Sequence, residues 1–226
     1  MHGFTDAQDT TEVPINHLGP WLIVVDFDGT ITEQDTLDWL VRRHAPQVHD
    51  EVERALTAGE ITLHECIRHE FEAIRGDHDA IVSEAVAAAR VRPGFAELAA
   101  AARERGDRVV VVSSGFEEVI RPVLAAAGLD DLEVVAHRVR FSPEHTTVEF
   151  RHGDPCPTCG QECKRSVVDS IRNGRPVAYV GDGYSDRCAA LVADRRFARH
   201  GLARYLDRVG VGYLPFDDFY DVEAGL

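Results

Sequence analysis

Trp21-Leu22-Ile23-Val24-Val25-Asp26-Phe27-Asp28-Gly29-Thr30 is an apolar run that breaks abruptly into two carboxylates, a glycine and a threonine. Its continuous β-branched character, without alternation, predicts a strand buried on both faces, as in a parallel sheet covered by helices. An extended backbone at its end points Asp26 and Asp28 to the same side. Two similar runs follow, Arg108-Val109-Val110-Val111-Val112 and Pro176-Val177-Ala178-Tyr179-Val180. Each gives way to a Gly/Ser/Asp turn and then a helical pattern, Glu117 to Ala127 after the second run and Asp186 to Ala193 after the third. This βα rhythm predicts an α/β fold with a Rossmann-like parallel sheet. Ligands of such sheets sit beyond the carboxyl ends of the strands, so the turns Asp26 to Thr30, Ser113 to Phe116 and Gly181 to Asp186 are expected to converge.

Between the first two runs the sequence is helical in period and far longer than an ordinary α/β connection. Residues 35–90 therefore read as an inserted helical cap, closed by the Ala-rich stretch Ile81 to Arg90. Arg92-Pro93-Gly94 forms a natural hinge, followed by a core helix from Phe95 to Arg105. The core then comprises residues 21–34 and 91–226, and residues 1–20, which lack periodicity, read as a mobile tail.

A chain of 226 residues with 44% hydrophobic content suffices for one sizeable core with a small insertion. Its formal charge of -15, from 24 basic and 39 acidic residues, repels phosphate backbones and anionic lipid headgroups, which speaks against nucleic acid and membrane as partners. Without an apolar run of membrane length or an export leader, the expected location is cytoplasmic. A small phosphorylated metabolite stays compatible with this acidity if a bound cation and a local lysine reverse the field in one pocket. The sequence carries no reading of oligomeric state.

Asp26 and Asp28 alone fit a solvated turn as well as a site. Gly181-Asp182-Gly183-Tyr184-Ser185-Asp186 adds two acids at another strand end, and so many carboxylates cannot all ionise together without a cation. Hard oxygen ligands of this kind suit Mg²⁺, which keeps positions for water and a substrate phosphate. A carboxylate nucleophile can also split phosphate ester hydrolysis into two easier displacements.

The Asp26-Phe27-Asp28-Gly29-Thr30 motif, Ser113 at the end of the second strand, Lys164 and the Gly181-Asp182…Asp186 motif occur in the order of the four motifs of the haloacid dehalogenase superfamily, which this chain resembles from Trp21 onward. The resemblance implies an Mg²⁺-dependent phosphatase acting on a small-metabolite phosphate monoester through an aspartyl-phosphate. It implies Asp26 as nucleophile and Asp28 as acid and base; dehalogenases of the superfamily lack this second aspartate. The metal would be held by Asp26, the backbone carbonyl of Asp28 and Asp182, with Asp186 holding the shell or the lysine in place. Ser113 would bind a phosphoryl oxygen, and the Ser114 and Gly115 amides, expected at the next helix's N-terminus, would add donors. Lys164 matches the family's lysine by position, with Arg165 its competitor.

An inserted helical cap resembles the branch holding phosphoserine, phosphocholine and phosphoethanolamine phosphatases and the enol-phosphate phosphatase of methionine salvage. Asp26 through Thr32 with Asp35 downstream, cysteines before Lys164, and Phe197-Ala198-Arg199 followed by Pro215-Phe216-Asp217-Asp218-Phe219 lean toward the last. A phosphomutase is the rival within the superfamily. Asp35 and Arg68 are candidate substrate contacts from the cap; against this, Asp35 suits a helix cap and Arg68 a solvated helix face. Cys156-Pro157-Thr158-Cys159-Gly160-Gln161-Glu162-Cys163 has zinc-like spacing with His152 as the nearest fourth ligand, and three free thiols are the alternative. Cys66 and Cys188 lie on helical patterns and read as core residues.

Overall fold

The computed structural model describes residues 20–226, so the tail expected over residues 1–20 lies outside the described residues except for Pro20. Strand β1 (Leu22–Val25) is buried at every position, as its unbroken apolar run requires. It is the central strand of a seven-stranded sheet. On one side lie β2 (Arg108–Phe116), β3 (Glu133–Arg140) and the edge strand β4 (Thr147–Glu149). On the other lie β5 (Val177–Gly181), β6 (Arg195–Ala198) and β7 (Leu214–Pro215). Every pairing is parallel except β3 with β4. Val25 stands opposite Val111 on β2 and Val180 on β5, so the residues just beyond these positions on the three segments stand side by side.

Alternation along β1 divides the interior into two layers. Ile23 and Val25 pack with Phe95, Leu98 and Ala102 of α5 (Phe95–Arg105), with Ile120 and Leu124 of α6 (Glu117–Ala126), and with Phe219 near the C-terminus. Leu22 and Val24 pack on the other face with Val167 and Val168 of α7 (Lys164–Ile171), with Ala189 and Ala190 of α8 (Arg187–Val192), and with Leu202 and Leu206 of α9 (His200–Val209). The chain closes with α10 (Phe219–Ala224).

The span after β1 holds four helices, α1 (Thr36–His44), α2 (Pro46–Ala58), α3 (Leu63–Phe71) and α4 (His78–Ala88). Local signals set their starts. Asp35 accepts from the Asp38 amide, Thr62 and Glu65 form a reciprocal cap, and Asp77 accepts from the Ala80 amide. A third apolar cluster joins Leu40, Val41, Ile67, Phe71, Ile81 and Ala85 of this insertion to Phe116, Val119, Val139 and Phe141 of the core, with the Phe71 and Phe116 rings 4.7 Å apart. The insertion therefore docks on the sheet through apolar packing. At its neck Thr32 and Val91 form an antiparallel bridge where the chain leaves and returns. Among the described residues no helix is long and apolar enough to cross a membrane.

Candidate active site

This register places Asp26, Ser113 and Asp182 around one cavity of about 240 Å³ between the sheet and the helical insertion. Asp26 directly follows β1, and its amide donates to the Val180 carbonyl at 2.9 Å. The chain then winds through a single wide turn, residues 27–31, closed by the Thr32 amide on the Phe27 carbonyl at 3.0 Å. Asp26 and Asp28 keep extended backbone angles within it, and both carboxylates line the cavity. Gly29 turns the chain at φ +74, and a side chain there would meet the Asp182 carboxylate at 2.7 Å, so conformation and space both require glycine.

Lys164 begins α7 and is buried, its Nζ 2.5 Å from Asp26 Oδ1 and 2.7 Å from Asp186 Oδ1. Arg165 turns away, donating to the Thr158 hydroxyl at 2.7 Å and pairing with Asp169, so of the two cations only Lys164 faces the site. Asp186 is fully buried. One of its oxygens accepts from Lys164 and the Tyr179 hydroxyl, the other from the Asp182 and Gly183 amides at 3.0 and 2.8 Å. Of the two tasks expected of Asp186, these contacts fill that of holding lysine and loop. As a direct metal ligand its oxygens are already engaged.

Electrostatics separates the acids. Burial and repulsion from Asp186 push Asp26 up despite Lys164, and the same two causes push Asp182 up to about 6. Asp182 still accepts from the Thr30 hydroxyl at 2.8 Å. Burial, then the Asp35 charge, raise Asp28 to about 7. Burial opposes the charge on Asp186, yet Lys164 and the loop donors hold it below the usual carboxylate range. Burial likewise opposes the charge on Lys164, but Asp186 and Asp26 raise its pKa.

Ser113 is buried beside the acids, and its Oγ accepts from the Gly115 amide at 2.8 Å. Here the structure corrects one expectation. Ser113 to Phe116 is not a turn beyond the strand, because β2 continues through Phe116 with a register shift after Val112; α6 starts at Glu117, as expected, directly after Phe116. Ser114 and Gly115 line the cavity from a strand irregularity, a common device for re-aiming groups near sites.

The cap contributes unevenly. Asp35 caps α1 and also lines the cavity. Arg68 does not line it; the residue is exposed and its guanidinium stacks 5.1 Å over the Phe150 ring, which corrects its reading as a substrate contact. The cap wall instead carries Asp35, Asp38, Glu53, Glu70 and His49 beside Leu37, Leu56, Leu63 and Ile67.

The cysteine loop is also corrected. The Sγ atoms of Cys156, Cys159, Cys163 and Cys188 lie within 4.8 Å of one another. His152 is exposed and outside this group, and Cys188 occupies the place expected for it. Cys188 reaches the loop from α8, a neighbour in space that spacing along the chain does not reveal. Arg92 carries no sequence signal beyond its place in the hinge. It is buried and donates to the carbonyls of Thr30, Gly29, Thr32 and Asp217 at 2.8 to 3.2 Å, tying the motif turn to the C-terminal segment.

The family model of the haloacid dehalogenase-like hydrolases matches residues 23–191. A 2-hydroxy-3-keto-5-methylthiopentenyl-1-phosphate phosphatase of Bacillus cereus (strain B4264) is 30% identical over 209 residues, 90% of this chain and 94% of the relative. A solved structure of phosphoserine phosphatase as a phospho-aspartyl intermediate analogue superposes with a TM-score of 0.70 at 18% identity, covering 92% of this chain and 99% of that one. Phosphoserine phosphatase from T. onnurineus gives 0.67 at 23% identity, over 91% and 93%. At these identities the two structures are likenesses of fold.

Proposed function

The chain belongs to the haloacid dehalogenase-like hydrolase family and is a phosphoric monoester hydrolase, and from that premise we propose that it hydrolyses a phosphate ester with an uncharged tail, of the keto-enol kind named for its Bacillus relatives in methionine salvage. The observation that carries this reading is the cavity, where Asp26, Asp28 and Ser113 meet a cap wall of leucines, isoleucine and acids with no lysine or arginine. A methylthio-bearing chain finds apolar surface there, whereas the carboxylate of phosphoserine would lie among Asp35, Asp38, Glu53 and Glu70 with only His49 to face it.

The donor set fits Mg²⁺, because Asp26 and Asp182 are pushed toward neutrality by burial and by the Asp186 charge, a conflict that a hard cation relieves. Asp26, the Asp28 carbonyl and Asp182 would hold it, and when bound it would offset charge on the phosphoryl oxygens. Asp26 attacks phosphorus, and the bond to the leaving oxygen breaks as Asp28 gives that oxygen its proton. Asp28, now a carboxylate, takes a proton from the water that cleaves the aspartyl-phosphate, which frees phosphate and restores Asp26. Lys164 favours the anionic form of Asp26 against burial and the Asp186 charge, and the Ser113 hydroxyl, which accepts from Gly115, is left to donate to a phosphoryl oxygen.

The test is turnover with Mg²⁺ on a panel containing 2-hydroxy-3-keto-5-methylthiopentenyl-1-phosphate, phosphoserine, phosphocholine, phosphoethanolamine and sugar phosphates. The expected result is the highest kcat/KM on the first, lost with EDTA. Preference for phosphoserine would sink the substrate assignment, and activity that requires an added sugar bisphosphate would make the protein a mutase.

A further inference from the structure

Four of the five cysteines meet at one point beside the site, three from a single loop and one from α8. The loop folds as a knuckle around its first two sulfurs. Gly160, directly after Cys159, adopts φ +71, the left-handed conformation that turns the chain back. The Gly160 amide donates to the Cys156 carbonyl at 2.8 Å, and the Cys156 amide to the Gln161 carbonyl at 2.8 Å, so the turn is pinned on both sides. The Thr158 amide points at Cys156 Sγ from 3.4 Å, an N–H···S contact that favours a thiolate over a thiol. Arg165 holds the outer side of the knuckle through the Thr158 hydroxyl.

Four soft sulfur donors with no oxygen among them select a different metal from the carboxylate site. In a tetrahedral zinc tetrathiolate with Zn–S of about 2.3 Å the sulfurs stand about 3.8 Å apart. No two of the four sulfurs are more than 4.8 Å apart, so at most small rotations of the side chains bring them to that spacing. We propose that Cys156, Cys159, Cys163 and Cys188 bind one structural Zn²⁺ that joins the knuckle loop to helix α8. All four positions are filled by protein, so the ion activates no water.

Its place gives it a mechanical task. Cys163 immediately precedes Lys164, and Cys188 stands two residues beyond Asp186. The zinc therefore cross-links the two segments whose side chains form the 2.7 Å ion pair beside Asp26, fixing the register of the lysine against its partner.

The test is made on the full chain purified without chelator. Elemental analysis should give about one zinc per chain, and Cys188→Ser should reduce it to roughly a tenth or less, whereas His152→Ala should leave it unchanged. Protein loaded with Co²⁺ in place of zinc should show the intense visible bands and sulfur-to-metal charge transfer of a tetrahedral tetrathiolate. This measurement on the unsubstituted chain keeps the proposal open to refutation even if a cysteine variant fails to fold. Substoichiometric zinc with all four thiols free to react with a thiol reagent, or a disulfide among them, would overturn it. Zinc kept in Cys188→Ser and lost in His152→Ala would overturn it equally. Any effect on turnover rests on the phosphatase reading, so metal content and the Co²⁺ spectrum, which do not, decide the matter.

Discussion

Asp28 holds its proton to higher pH than Asp186 does, and their surroundings supply the reason. Asp28 Oδ1 accepts from the Thr36 amide at 3.0 Å and from its hydroxyl, while buried Oδ2 has no partner among the described residues. Burial and the Asp35 charge bring its pKa to about 7. As an acid Asp28 must be protonated, so kcat/KM should fall as pH rises through that region. Asp35→Asn preserves a good helix cap and removes the neighbouring charge. The Asp28 pKa then drops, and the alkaline limb of the kcat/KM profile at saturating Mg²⁺ moves to lower pH. An unmoved limb would assign the proton to another group. Asp26→Asn removes the nucleophile and should lower turnover by roughly 10⁴-fold or more with an unchanged circular dichroism spectrum. Substantial residual turnover would exclude covalent catalysis by Asp26.

The neck of the insertion shows what sequence patterns convey about elements and what they miss. Strands β1, β2 and β5 are legible because each contains an unbroken apolar run, and α5 because Gly94 and Gly106 bracket an Ala-rich helix. Strand β3 escapes such a reading because Glu-Val-Val-Ala-His-Arg-Val-Arg is neither an unbroken apolar run nor a strict alternation, Ala136 and His137 both being buried, and β6 and β7 are too short to show a period. Asp26, Asp28, Lys164 and Asp182 are legible from motif order. Cys188 and Arg92 are not, because their partners come from segments far along the chain. Arg92 binds the carbonyls that surround the neck, so Arg92→Ala leaves several buried acceptors without a donor. The expected loss is about 2–4 kcal/mol in urea unfolding. Arg92→Lys, which keeps the charge but not the fork, should recover only part of it. A variant as stable as the parent would show that water replaces the guanidinium at no cost.

At the scale of the whole molecule, the formal charge of -15 sets how an anionic substrate arrives. Lys164 is spent on Asp26 and Asp186, and the cap wall adds Asp35, Asp38, Glu53 and Glu70 to the field at the cavity. A phosphate ester therefore approaches against repulsion, although contacts close to a bound cation favour it once inside. Raising ionic strength from about 0.01 to about 0.15 M shortens the screening length from about 30 to about 8 Å, which removes the long-range repulsion and leaves short contacts nearly intact. With Mg²⁺ kept saturating, kcat/KM should rise about twofold or more over that range while kcat stays constant. An enzyme that steers its substrate electrostatically shows the opposite slope. A second cavity of about 310 Å³ adjoins the first through Ser113, Ser114 and Tyr184 and is lined by Arg151 and Arg187. If the substrate enters through it, those cations dominate the local field and kcat/KM falls with salt, so the sign of the slope identifies the route.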